Sequence, residues 1–177
     1  EILDLSTLER GERVWENYAI DAEESLDQAL GVCDALARQN NTTVKSGARV
    51  GKAIILADPY RLSQVMINLV SNAIKYNEAL RPQVEIRSRI RGRNYIVEVE
   101  DNGLGIPEEE KPHIFDKFYR GRSGDATPYA GAGLGLPISR EIILRMNGKL
   151  ELVSGTEGAC FRVTLPLADE QEVSRSG

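Results

Sequence analysis

The segment between residues 58 and 76 constrains the fold most, because it predicts a long helix with one buried face. Asp58 followed by Pro59 supplies an N-cap and a proline at the first helical position. Seven apolar residues then recur at helical spacing: Leu62, Val65, Met66, Leu69, Val70, Ala73 and Ile74. A stripe of this kind indicates a helix packed against a hydrophobic layer.

The rest of the chain combines short strands with two further helices. One helix is predicted from the capping box Asp21–Glu24 to about Gln39, and another follows Gly135 and ends at Asn147-Gly148. Strands are predicted at residues 12–20, 42–45, 53–56, 83–90, 94–100, 149–153 and 159–165. Strands and helices without regular βαβ alternation indicate an α+β fold. We predict a two-layer sandwich in which three main helices cover one face of a mixed, mostly antiparallel sheet.

Composition is that of one compact globular domain. Of 177 residues, 41% are hydrophobic and 28% charged. The formal charge of -5 predicts no nucleic-acid partner and no attraction to an anionic membrane surface. The basic residues within 87–93 are interpreted as the solvated end of a strand pair. No apolar run is long enough to span a bilayer, and the two distant cysteines, Cys33 and Cys160, favour a reducing compartment.

The long helix carries the first of three polar motifs. Asn68, Asn72 and Lys75 share a face beside the apolar stripe, and Tyr76 follows them. A single asparagine there could serve only as a hydrogen-bonded core group. Two amide oxygens one turn apart can instead contact a hard cation such as Mg²⁺, and Lys75 would add positive charge for phosphate.

The second motif begins at Asp101 and contains Gly103 and Gly105. The intervening Asn102-Gly103 is also a hairpin signal, but residues 104–107 show no returning strand. The favoured interpretation is a carboxylate that accepts a hydrogen bond from an exocyclic amine. The glycines would let the chain approach a flat base closely.

The third motif, residues 131–136, is a glycine-rich loop that leads into a helix. It lacks the glycine spacing of a dinucleotide fingerprint and the Gly-Lys-Ser/Thr of a P-loop. Free amides at a helix N-terminus favour phosphate, so the three motifs together predict a nucleotide pocket. The region between 105 and 131 has the composition of a long loop, and loops of that length are often lids.

The combined pattern resembles the catalytic, ATP-binding domain of bacterial sensor histidine kinases. This domain belongs to the superfamily that includes DNA gyrase B, the MutL repair protein and a large heat-shock chaperone, and it has the Bergerat ATP-binding fold. Residues 68–76 resemble the N box, 101–106 the first glycine box, 114–120 the F box and 131–136 the second glycine box. The match runs from about residue 15 to residue 167.

The resemblance implies a role for each motif residue. Asn72 would bind Mg²⁺ with Asn68 in support, and Asp101 would recognise the adenine amine of ATP. Asn68, Lys75 and Arg120 would be the catalytic residues, the last two approaching the phosphates. The other implied nucleotide contacts are Tyr76, Gly103, Gly105, Ile106, Tyr119, Gly131, Gly133, Leu134, Gly135 and Leu136.

The resemblance also implies a domain organisation. Residues 1–11 would be a remnant of a dimerisation hairpin and linker, and residues 12–167 the ATP-binding domain with a lid at about 106–131. Residues 168–177 would form a flexible tail. Phe115 and Phe118 would anchor the base of the lid or face a partner domain. The missing initial Met suggests an excised fragment, and a cytoplasmic location is predicted, including the cytosolic portion of a membrane-bound sensor.

Position 68 distinguishes the branches of the superfamily. Hydrolytic members carry a glutamate that activates water there, whereas the Asn68 amide cannot act as a base. The resemblance therefore implies phosphoryl transfer to a histidine on a separate dimerisation domain of the same receptor, with a response regulator involved indirectly. No acceptor motif occurs here, so we predict ATP binding without autophosphorylation. The alternatives are a non-catalytic nucleotide-binding regulatory module and a gyrase-like ATPase subunit, which Asn68 disfavours.

Overall fold

A computed structural model describes residues 15–121, 132–155 and 157–169. The elements in chain order are β1 (Tyr18–Asp21), α1 (Ala22–Gln39), β2 (Thr43–Ser46), β3 (Ile54–Ala57), α2 (Pro59–Lys75), β4 (Gln83–Arg91), β5 (Asn94–Asp101), a 3₁₀ turn (Lys111–His113), α3 (Gly135–Arg145), β6 (Lys149–Ser154) and β7 (Ala159–Pro166). In these ranges no helix combines the length and the apolarity that a bilayer crossing requires.

The main sheet has five strands in the order β2-β4-β5-β7-β6. Strand β2 runs parallel to β4, and the other neighbours are antiparallel. Strands β1 and β3 form a separate antiparallel pair, which meets the end of β7 through the bridge between Ile55 and Leu167. The predicted α+β class with a mixed, mostly antiparallel sheet is therefore confirmed.

Helix α2 lies in the middle of the helical layer, where it packs against α1, α3 and the central strands. Asp58 caps it by accepting a hydrogen bond from the Arg61 amide at 3.1 Å, as the sequence predicted. Every residue of the predicted apolar stripe is buried. On the sheet side, α2 faces alternating core residues of β4 and β5, among them Ile86 and Val97. The predicted helix and its buried face are confirmed.

The described residues nearest the two ends of the chain make contacts that the sequence did not predict. The first strand was predicted at residues 12–20, of which 12–14 lie outside the described residues. Residues 15–17 precede the strand, which begins at Tyr18, and the Glu16 amide donates to the Asp58 side chain at 3.4 Å instead of joining the ladder. Ala168, predicted to open a flexible tail, donates its amide to the Ile54 carbonyl at 2.9 Å. The predicted linker remnant, residues 1–11, and the tail beyond residue 169 lie outside the described residues.

The open face of the sheet carries an ion-paired layer. Glu98 accepts hydrogen bonds from Arg89 at 3.0 Å and from Arg162 at 2.7 Å, and Arg87 pairs with Glu100. Both glutamates are buried.

The basic residues of this strand pair were expected at its solvated end. Arg89, Arg91 and Arg93 are indeed exposed at the end of the strand pair, which confirms the expectation for them. Arg87 is the exception, because Glu100 holds its side chain over the sheet.

Glu98 should stabilise the fold in a pH-dependent way. Hydrogen bonding from Arg89, with Arg162 acting in the same direction, lowers the pKa of Glu98 to about 2 despite its burial. Because the folded-state pKa lies below the ordinary value of 4.5, the stabilisation is present above that pH and is lost as the pH falls towards 2. We expect Glu98→Gln to lower the free energy of unfolding at neutral pH by about 2 kcal/mol and to flatten its acid dependence.

Urea unfolding at neutral pH and at about pH 3 measures both effects. Glu85→Gln is the matched control, because the Glu85 side chain is 44% exposed. Equal losses in the two variants would contradict a special role for Glu98.

Candidate functional site

A cavity of about 220 Å³ opens between α2, the end of β5 and the start of α3. Eleven predicted site residues line it: Asn68, Asn72, Tyr76, Asp101, Gly105, Ile106, Tyr119, Arg120, Gly133, Gly135 and Leu136. The other lining residues, which were not predicted as site residues, are Ala73, Glu78, Leu104, Pro107, Glu110, Ile114, Gly121, Pro137, Ala159 and Phe161. Mostly apolar walls with a few convergent polar groups are typical of a small-molecule site.

Three predicted site residues within the described ranges do not line this cavity. Lys75 is the last residue of α2. Burial raises the pKa of the Cys33 thiol in α1, and the positive charge of Lys75 opposes part of that rise. The Gly103 amide donates a hydrogen bond to Asp101, and Leu134 is the buried residue that immediately precedes α3. Gly131 lies outside the described residues. The structure therefore places Asn68 and Asn72 at the cavity but separates Lys75 from them.

Asp101 presents one free carboxylate oxygen at the cavity. Its Oδ1 accepts hydrogen bonds from the amides of Gly103 at 2.8 Å and Ala159 at 3.3 Å. Its Oδ2 has no hydrogen bond within the part of the chain that the structure describes. Burial raises the pKa of Asp101, and the two backbone hydrogen bonds oppose that shift. The carboxylate is thus fixed in orientation and can accept a hydrogen bond from a ligand.

Asn102 holds the turn that carries Asp101. Its Oδ1 accepts from the Gln83 amide at 2.7 Å and from Asn77 Nδ2 at 3.0 Å. Its Nδ2 donates to the Arg81 carbonyl at 3.0 Å. These bonds tie the turn after β5 to the segment after α2, so Asn102 and Asn77 position Asp101 without lining the cavity. The sequence prediction assigned neither residue a role, since their partners are distant along the chain.

The two asparagines of α2 are held differently. Asn68 Nδ2 donates to Oγ of the buried Ser139 at 3.0 Å, which joins α2 to α3. A Cβ at Gly135 would lie 2.4 Å from Asn68 Oδ1, so a larger residue there would displace the Asn68 side chain from its present position. The side-chain amide of Asn72 lines the cavity and makes no hydrogen bond within the described ranges. Asn72 is therefore the amide available to a ligand.

The described residues contain no group of three His, Cys, Asp or Glu side chains that could hold a metal ion. The cavity lining does offer the side-chain amides of Asn68 and Asn72 to a cation, which phosphate oxygens and water would complete. Amide oxygens are suitable ligands for Mg²⁺, which commonly keeps several waters. The donor set fits a hard cation bound together with a phosphate ligand.

Phe115 and Phe118 lie at the chain segment that leads into the predicted lid. Phe115 packs edge-on against Phe161, with ring centroids 6.4 Å apart, and the Arg140 guanidinium lies 4.9 Å from its ring. Phe118 is 63% exposed and has a φ of 65°, which is strained for an aromatic residue. Phe115 thus packs at the base of this segment, and Phe118 faces outward.

Gly133 should be intolerant of a side chain. It has a φ of 68°, and an added Cβ would lie 2.6 Å from the Tyr119 carbonyl oxygen. Gly133→Ala should therefore lower the free energy of unfolding by about 2 kcal/mol and weaken ligand binding, because the backbone beside the cavity must move. Thermal unfolding and ligand titration test both expectations.

The matched control is Gly31→Ala in the interior of α1, where no atom lies within 4 Å of the added Cβ. That change should raise stability by up to about 1 kcal/mol. Similar effects of the two substitutions would contradict the steric argument.

Comparison with known proteins identifies the family. Residues 57–169 match the family described as "Histidine kinase-, DNA gyrase B-, and HSP90-like ATPase". The circadian input-output histidine kinase CikA of Synechococcus elongatus is 31% identical over 171 residues, which cover 94% of this chain and 22% of CikA. The sensor-like histidine kinase SenX3 of Mycolicibacterium smegmatis is 31% identical over 168 residues, 94% of this chain and 43% of SenX3. The chain thus spans less than half of these curated relatives.

Solved structures agree with this assignment. The catalytic domain of histidine kinase ThkA superposes with a TM-score of 0.73 at 26% identity, covering 89% of this chain and all of that one. Full-length ShkA, solved in complex with AMPPNP, superposes with a TM-score of 0.78 at 26% identity, covering 94% of this chain and 34% of ShkA. The chain therefore belongs to the histidine kinase-, DNA gyrase B- and HSP90-like ATPase family, as an ATP-binding catalytic domain of the sensor histidine kinases of two-component signalling.

Proposed function

We propose that this domain binds Mg-ATP and donates the γ-phosphoryl group to a histidine on a separate dimerisation domain of the same receptor. The observation that carries the proposal is the convergence of Asn72, Asp101 and Arg120, from three separate segments, on one cavity. The complex of the related ShkA with AMPPNP supports nucleotide binding in this domain. Because ATP is available in the cytoplasm, the domain would work there, as the cytosolic part of a sensor. A response regulator would then receive the phosphoryl group from the histidine.

Adenine recognition would rest on Asp101. Its Oδ2 is free to accept a hydrogen bond from the exocyclic amine, while Oδ1 is held by two backbone amides. Ile106, Ala159 and Phe161 supply apolar surface in the same cavity for the flat base. A half-buried carboxylate acceptor disfavours a base that presents a carbonyl oxygen at that position, because two acceptors would face each other.

Asn72 would hold Mg²⁺, with Asn68 in support. The Asn72 amide has no protein partner within the described residues, so binding a cation would break no existing hydrogen bond. Asn68 is fixed by Ser139 and lies one helical turn earlier. When bound, Mg²⁺ supplies neutralisation of charge on the phosphate oxygens.

Catalysis would consist of positioning and charge stabilisation. Arg120 lines the cavity and would offset charge on the phosphates, and Lys75 would join it by rotation of its flexible four-carbon stem. The imidazole nitrogen would form a bond to the γ-phosphorus as the bond to the β,γ-bridging oxygen breaks and ADP leaves. Because Asn68 carries an amide, it cannot take a proton from water, which disfavours hydrolysis.

Calorimetric titration with ATP, with and without Mg²⁺, tests the binding step. A second assay adds a histidine-bearing dimerisation domain and ATP labelled at the γ-phosphate. We expect saturable, Mg²⁺-dependent binding, label on the added domain and none on this chain. Stable label on the isolated chain would contradict the proposal. Binding without transfer would favour a regulatory module, and steady ATP turnover would favour a gyrase-like ATPase.

A further inference from the structure

Trp15, the single tryptophan of the chain, contacts the ends of two helices. The guanidinium carbon of Arg61, in the first turn of α2, lies 5.7 Å from the centre of its ring. That of Arg145, the last residue of α3, lies 5.4 Å away. Both distances are within the range of cation–π attraction. These three residues are termed the Trp15 clamp.

The surroundings of Arg61 indicate that its contact with the Trp15 ring stabilises this region of the fold. Arg61 is only 3% exposed, and no carboxylate pairs with its guanidinium within the residues the structure describes. Its side-chain contacts are the rings of Trp15 and Tyr60 and the Gln64 amide oxygen at 3.3 Å. A buried cation is costly without compensation, and the two aromatic rings and the Gln64 amide oxygen are the partners that the described residues offer it. Trp15 therefore packs against a buried side chain of α2 and not only against exposed residues.

The backbone beside Trp15 is fixed to the same helix end. The amide of Glu16 donates to Asp58 Oδ2 at 3.4 Å, while Asp58 Oδ1 caps α2. Tyr18 then pairs with Ala57 as β1 begins. The segment leading into the domain therefore has a defined position where it meets α2 and α3.

The helices of the Trp15 clamp also build the ATP cavity. Helix α2 begins at the clamp and carries Asn68 and Asn72 further along. Helix α3 ends at the clamp and begins at Gly135 beside the cavity. The hydrogen bond from Asn68 to Ser139 joins the two helices near the site. The segment that contains Trp15 and Glu16 is thus connected to the ATP cavity through helices α2 and α3.

We propose that Trp15 is a positioning residue that orients this domain relative to the histidine-bearing domain attached upstream. This inference rests on the proposed function. Without the Trp15 clamp, the ATP cavity would remain intact, but the upstream segment would leave the domain in many directions. The effective concentration of the acceptor histidine at the γ-phosphate would then fall.

The test compares transfer within one polypeptide with transfer between separate proteins. In a receptor that contains this chain, Trp15→Ala should lower kcat of autophosphorylation about tenfold while KM for ATP stays unchanged. In the 177-residue chain, the same change should not alter transfer to a separately supplied histidine-bearing domain. Trp15→Phe should restore much of the loss. Arg145→Gln should share part of it; Arg145 is 41% exposed and otherwise pairs with Glu141 in the same helix, so the change should cost little stability.

Gln64→Ala is the matched control, because it removes the hydrogen-bond acceptor of Arg61, 3.3 Å away, and leaves the Trp15 ring in place. It should leave kcat within one polypeptide unchanged. An unchanged kcat for Trp15→Ala, or equal losses in both assay formats, would overturn the inference while leaving the proposed function in place. Failure of the unsubstituted protein to transfer in either format would overturn the proposed function, and this inference with it.

Discussion

Replacing Asn72 with alanine should weaken Mg²⁺-dependent ATP binding by about 100-fold, or about 3 kcal/mol. The Asn72 amide lines the cavity and has no hydrogen-bond partner in the described ranges, so the fold loses no interaction when it is removed. Alanine is also the better helix former. The substitution should therefore leave the melting temperature unchanged or slightly raised, and the loss should appear in ligand binding alone.

Calorimetric titration in the presence and absence of Mg²⁺ separates the metal contribution from the rest. The Asn72→Ala variant should bind ATP like the unsubstituted protein once Mg²⁺ is removed. Asn94→Ala, at an exposed hairpin position, controls for loss of an amide elsewhere. An equal loss with and without Mg²⁺ would show that Asn72 contacts the nucleotide directly, and our metal assignment would be wrong.

The fold could be predicted largely because its signals are local. The N-cap at Asp58 and the apolar stripe of α2 are contained in one segment, and they define a helix before any partner is known. The strand pair β4 and β5 follows from alternation around the turn at Gly92. The prediction that Trp15 and Glu16 belong to β1 was wrong, because both are held by side chains distant in sequence.

The site was predictable only in part, because its geometry depends on long-range contacts. A helical wheel places Asn68, Asn72 and Lys75 on one broad face, but it cannot show where the cavity ends; the structure excludes Lys75 from the lining. Ser139 is 71 residues from Asn68, and nothing in the local sequence pairs them. Ala159 has no polar side chain. It contributes a backbone amide that donates to Asp101, and no sequence motif predicts that contact.

Asp101→Asn should reduce the preference for ATP over GTP by about 100-fold or more. The amide oxygen of asparagine can still accept from the Gly103 and Ala159 amides, as Oδ1 does now. The turn would then keep its shape, and the side-chain NH₂ would replace Oδ2 at the cavity. An NH₂ group opposes the adenine amine but can donate to the carbonyl oxygen of guanine. Titrations with ATP and GTP measure the ratio, and thermal unfolding checks that the fold is intact.

The pH dependence of binding provides an independent check on Asp101. Burial raises the pKa of this carboxyl above its usual 3.8, and Oδ2 accepts a hydrogen bond fully only when the group is ionised. ATP affinity should therefore fall as the pH drops through the raised pKa. The effect on stability has the opposite sign, since the folded chain holds this proton more tightly than the unfolded chain. Asp101→Asn should abolish the Asp101 component of the binding profile. If that variant bound ATP like the unsubstituted protein at every pH, Asp101 would not be the adenine acceptor, and Glu78, the exposed carboxylate at the same cavity, would be the next candidate.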